Sequence, residues 1–127
     1  MKNFKLKTHY KKILADTISP VSVYLKIRDQ FPNSILLESS DYHGNDNSFS
    51  YICCNPIASI KVEAKLITKT YPDHTTETKT VEPNKVTLEI DTFTKQFKTK
   101  NDKVFKFINN GMFGFTAYDA VKYFEDI

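Results

Sequence analysis

From Ile57 to Thr68 the apolar residues recur at every second position. Ile60, Val62, Ala64 and Leu66 alternate with Ser59, Lys61, Glu63 and Lys65. A strand repeats every two residues and a helix does not, so this segment is predicted to be a half-buried strand with one wet face. Tyr71, Pro72, Asp73 and His74 then supply a turn, and the Thr-rich segment up to Val81 is predicted to return antiparallel, its Thr and Lys side chains solvated. A chain committed to such a hairpin must cover the apolar face with something else. In 127 residues the cover has to come from within one compact domain of ordinary size.

Two segments have the spacing of covering helices. Ser19 and Pro20 read as a cap and first helical residue, because the N–H that proline lacks would be unpaired there anyway. Asp16 and Thr17 are alternative caps. Val23, Ile27 and Phe31, or Tyr24 and Ile27, share one helical face, and Pro32 to Ser34 ends the segment. Pro83 opens the second helix, in which Val86, Ile90, Phe93 and Phe97 line one face and Lys85, Glu89 and Lys95 point to solvent. Val86, Leu88 and Ile90 also alternate as a strand would, but the continuation to Phe93 and Phe97 favours helix. Near the N-terminus, Phe4, Leu6, Thr8 and Tyr10 alternate with Lys5, Lys7 and His9, the pattern of a further half-buried strand. Lys98 to Lys103 reads as a charged connector, and Val104 to Ile108 sets up a last strand region. Gly111 and Gly114 then bracket Met112 and Phe113, which suggests tight packing against another element.

Several function classes are excluded or weakened by composition. Hydrophobic content of 40% with 26% charged residues is that of a globular protein. No apolar run approaches the roughly 20 residues of a membrane span, and the lysine-rich start lacks the apolar core of a signal peptide, so a cytoplasmic protein without membrane partners is expected. The net charge of +3 is spread along the chain, too thinly for a phosphate-tracking surface, and argues against a nucleic-acid partner. Adjacent Cys53 and Cys54 would point to opposite faces of a strand, so both are expected reduced. His9, His43 and His74 stand far apart in polar surroundings and read as surface residues, so no metal ligands are assigned. A phosphate loop, HExxH, GxSxG and a partnered nucleophilic cysteine are all absent, and no catalytic residue is assigned.

The stretch from Pro32 to Pro56 holds the best candidate site. Its first apolar run, Ile35 to Leu37, ends on Glu38, Ser39 and Ser40, and a polar loop leads to a second run, Tyr51 to Cys54. A carboxylate can pair with an ammonium, and a neighbouring hydroxyl can bond to a carboxylate or amine. Glu38 and Ser39 therefore suit an amino-acid ligand resting against an apolar wall from the strands, and do not suit glycoside chemistry, which needs a second positioned carboxylate. A competing reading takes Phe113, Phe115 and Tyr118 as the base-stacking strand of an RNA-binding module.

Longer combinations carry a resemblance. Leu36-Leu37-Glu38-Ser39, Ser50-Tyr51-Ile52, Asn55-Pro56, and Gly111-Met112-Phe113-Gly114-Phe115 with Tyr118-Asp119 and Glu125 together resemble the N-terminal region of anthranilate synthase component I. Thr17-Ile18-Ser19-Pro20-Val21 and the helix to Phe31 agree with it. Aminodeoxychorismate synthase is a close relative in the same chorismate-utilising family. The resemblance implies an α/β domain of α+β type, with antiparallel sheets and packed helices, covering residues 1–127 as a tryptophan-regulatory N-terminal domain. It also implies that the family's catalytic residues and magnesium ligands lie in a C-terminal chorismate-binding region outside this chain. The fragment itself is then expected to be inactive and without a cofactor. A glutamine amidotransferase subunit is the implied partner of the complete enzyme. L-tryptophan is the implied inhibitor, with Glu38, Ser39, Ser40 and Ser50 as its contacts here. The aromatic residues Tyr118, Tyr123 and Phe124, so close to Ile127, are in keeping with further polypeptide that covers them.

Overall fold

The computed structural model describes residues 1–38, 49–100 and 110–125. It is an α+β fold of two compact units: one gathers Met1–Thr8, Ile57–Asp102 and Phe115–Ile127, the other His9–Pro56 and Lys103–Gly114.

The first unit is built on an antiparallel sheet of β4 (Ser59–Glu63), β5 (Leu66–Thr70) and β6 (Thr76–Thr80), in that order. The long alternation therefore does not form one strand. Ala64 takes a left-handed φ of 55°, and Glu63 pairs directly with Leu66, so the chain reverses within the run. Across the turn the inward positions switch from Ile60 and Val62 to Ile67 and Lys69, which leaves Leu66 exposed although it continues the apolar alternation of β4. The second reversal lies where the turn residues place it. His74 adopts φ 67°, its N–H bonds to Tyr71 O at 2.9 Å, and Asp73 accepts from the Thr75 N–H at 3.0 Å.

Helix α2 (Val86–Thr94) follows a 3-10 turn at Pro83–Lys85 and lies over the sheet. Its spacing does as predicted: Val86 and Phe93 are buried, and Ile90 packs with Val86, Ile67 and Val81 over Ile60 and Val62. Phe97 leaves the helix, which ends at Thr94, and enters strand β7 (Phe97–Thr99). Its ring still meets Phe93 edge-on at 5.2 Å. Strand β7 pairs in parallel with β1 (Phe4–Leu6), so this fold mixes parallel and antiparallel pairing where antiparallel sheets alone were expected. Phe4 is the reason for the association: its ring stacks on Phe97 at 5.5 Å and on Tyr71 at 5.9 Å, making one aromatic cluster with Phe93. The predicted strand from Phe4 to Tyr10 accordingly stops at Leu6.

In the second unit, helix α1 (Pro20–Ile27) starts where the sequence places it. Ser19 and Ser22 form a reciprocal capping box, each side chain accepting from the other's backbone N–H at 3.2 Å. It ends a turn earlier than Phe31, with Val23, Tyr24 and Ile27 half-buried. It packs on a hairpin of β2 (Ile35–Glu38) and β3 (Ser50–Cys53). Asn33 and Asn55, at φ 67° and 52°, turn the chain on either side of that hairpin.

Candidate functional site

Hairpin register decides which predicted site residues meet. Strands β2 and β3 pair Ile35 with Cys53, Leu36 with Ile52, Leu37 with Tyr51, and Glu38 with Ser50. Cross-strand partners project from one face, and residues two apart return to it. Glu38 and Ser50 thus stand side by side at the loop end of the hairpin, next to the half-buried apolar pair Leu36 and Ile52. Both polar residues are exposed, and among the described residues neither side chain has a hydrogen-bond or ion-pair partner. The opposite face carries Leu37 and Tyr51, with the Tyr51 ring 5.3 Å from Phe113. Ser39 and Ser40, like His43, lie outside the described residues.

An exposed carboxylate beside an exposed hydroxyl, with an apolar strip behind them, can bind an ammonium and position a flat or branched apolar group. Among the described residues no second acid and no cation pairs with it, and the pair as it stands suits holding a ligand. Cys53 does not change this. Partial burial and the neighbouring Cys54 push its thiol upward and keep it protonated, while Cys54 is a free, exposed cysteine. No group of three or more potential metal ligands occurs among the described residues, and no described helix is long and apolar enough to cross a membrane.

The first unit contains a polar centre that periodicity placed in solvent. Lys69 is 4% exposed, and Glu89, predicted to face solvent on its helix, lies against it. The Lys69 ammonium donates to one Glu89 oxygen at 2.6 Å and the Lys79 ammonium to the other at 2.8 Å. Hydrogen bonds from Lys69 and then Lys79 hold the Glu89 carboxyl below its ordinary range, and Glu89 in turn raises Lys79. Tyr71, Glu77 and Gln96 extend the network around a cleft of about 350 Å³. Lys69 and Lys79 balance Glu77 and Glu89 in formal charge, so the network satisfies its own groups and makes a polar core rather than a reactive centre. The signal in the sequence was Lys69 itself, in phase with Ile67 and Tyr71 on the buried side of β5.

Phe113 to Ala117 forms no strand, and Tyr118 begins a 3-10 helix that runs to Tyr123. The aromatic strand required by an RNA-binding module is therefore not made, although Phe115 and Tyr118 are almost fully exposed.

A 51-residue stretch, 40% of the chain, is 41% identical to anthranilate synthase component 1 of Lactococcus lactis subsp. lactis (strain IL1403). The chain therefore has partial sequence similarity to the anthranilate synthase component I family, and the match spans 11% of that relative's length. No family model matches the chain, and no solved structure matches it.

Proposed function

We propose that this chain is the N-terminal regulatory part of an anthranilate synthase component I and contributes a feedback site for L-tryptophan. The observation that carries the reading is the Glu38–Ser50 pair, exposed and without a partner among the described residues, beside Leu36 and Ile52. Glu38 takes the ligand ammonium, Ser39, Ser40 and Ser50 supply hydrogen bonds, and the hairpin side chains form part of the wall for the indole. The partial similarity to the lactococcal enzyme supports the same assignment. On this reading the chain is catalytically silent alone. The complete cytoplasmic protein, with magnesium and chorismate bound in a C-terminal region and a glutamine amidotransferase subunit supplying ammonia, makes anthranilate and pyruvate. Tryptophan inhibits by binding one arrangement of the complete protein more tightly than the other, since equal affinity would shift nothing.

Calorimetry with tryptophan tests this on the 127-residue chain and on a protein in which it continues into a chorismate-binding region. Binding to the longer form that Glu38→Ala abolishes supports the assignment. Tryptophan inhibition that persists in the Glu38→Ala protein removes Glu38 from the site. Formation of aminodeoxychorismate in place of anthranilate would move the chain to the sister enzyme.

A further inference from the structure

The outward face of the β1–β7 pair concentrates positive charge that neither the hairpin site nor the polar core uses. Lys5 and Lys98 are direct register partners, so their side chains leave the same face of the pair. Lys7 and Lys100 stand two residues further along, one step beyond the last paired residues, Leu6 and Thr99. All four are exposed, and among the described residues none has an ion-pair partner. Lys2, Lys61, Lys69, Lys79 and Lys95 of the same unit each meet an acid. Like charges set opposite each other across neighbouring strands repel, so this face is unfavourable in the isolated chain. It persists because Phe4 and Phe97 anchor the strands from the other side.

The pair also has backbone to offer. Among the described residues, β1 and β7 form a sheet of two strands, with no third strand on the outer edge of either. An extended segment can add to such an edge through main-chain hydrogen bonds, with alternate side chains giving specificity. Acids at every second position of that segment would repeat at about 6.6–6.8 Å, the spacing of lysines two residues apart on a strand. We propose that the β1–β7 pair docks an extended acidic polypeptide segment, its alternating Asp or Glu side chains meeting Lys5, Lys7, Lys98 and Lys100. Single-stranded nucleic acid fits this face less well, because the rings that would stack on bases, Phe4 and Phe97, point inward onto each other and onto Tyr71. Lysines also guard strand edges against aggregation, but a guard needs no acidic ligand.

Fluorescence anisotropy of the full 127-residue chain with a labelled peptide of alternating Glu and Val provides the test. Controls are a peptide of the same composition with its acids contiguous, and an oligothymidine. The alternating peptide is expected to bind best, more weakly as salt rises, and about tenfold more weakly to Lys5→Glu/Lys98→Glu. Lys5→Gln/Lys98→Gln should fall between parent and charge-reversed variant in affinity and should melt no lower than the parent, because it removes the repulsion between the paired lysines. Failure of the alternating peptide to bind, equal binding of either control, or unchanged affinity in the charge-reversed variant would overturn the proposal.

Discussion

The two units differ most in what they bury. Every fully buried residue among those described belongs to the first unit: Ile67, Lys69, Tyr71, Val81, Val86, Phe93 and Gln96. In the second, α1 and the β2–β3 hairpin reach only partial burial, with Val23, Ile27, Leu36, Tyr51 and Ile52 half-covered. A two-stranded hairpin is marginal in water by itself, so the proposed ligand site sits on the less buried part of the molecule. The first unit, with α2 laid over three strands, has the layered arrangement that can hold a fold. Stability and the proposed binding site are thus carried by different stretches of one short chain.

The largest expected effect breaks this comparison at its stronger end. Ile67 is completely buried at the centre of the sheet, so Ile67→Ala should cost about 3–4 kcal/mol in urea unfolding, while Ile52→Ala on the half-buried hairpin should cost about 1 kcal/mol. Similar losses at both positions would mean that the hairpin is as firmly held as the core.

Next in size is the polar core. Glu89→Leu strands a buried Lys69 ammonium and should cost about 2–3 kcal/mol, whereas the pair Lys69→Met/Glu89→Leu should recover most of it. A double-mutant cycle by denaturant unfolding measures that coupling. If the double variant is no better than the single, Lys69 is not held through Glu89.

A smaller effect follows from pH. The Glu89 carboxyl titrates below its unfolded value, so its contribution is complete above the ordinary glutamate range of about 4.3 and declines as pH falls through the depressed folded value. Asp73 shifts in the same direction through hydrogen bonds from Lys2 and Thr75, but it is exposed and solvent screens it. Acid titration followed by circular dichroism should therefore show a loss of stability that the Lys69→Met/Glu89→Leu variant largely lacks. An identical acid limb in both proteins would assign the effect to other carboxylates.

How much of this was legible before folding depends on how far apart the partners lie. Ser19, Pro20 and Ser22 announce a helix start because cap and capped N–H groups are three residues apart. The turn from Tyr71 to Thr75 and the inward face of Val86, Ile90 and Phe93 are equally local. Ala64 hid a hairpin because Val62, Ala64 and Leu66 continue the alternation by residue type, although the turn leaves Leu66 exposed and puts Ile67 on the buried side. Glu38 and Ser50 were each singled out in the sequence as candidates, but that they stand opposite each other is a matter of register.

The sequence by itself determined where α1 begins and that Val86, Ile90 and Phe93 share one helical face, since these follow from spacing within a few residues, and it put Glu38 forward as the acid of the proposed site. Tertiary structure alone decided that Phe4 would pair in parallel beside Phe97, that Lys69 would be buried against Glu89, and that Lys5 would stand beside Lys98. Each of these joins residues 20 or more positions apart, where side-chain packing selects the partner and no local period records it.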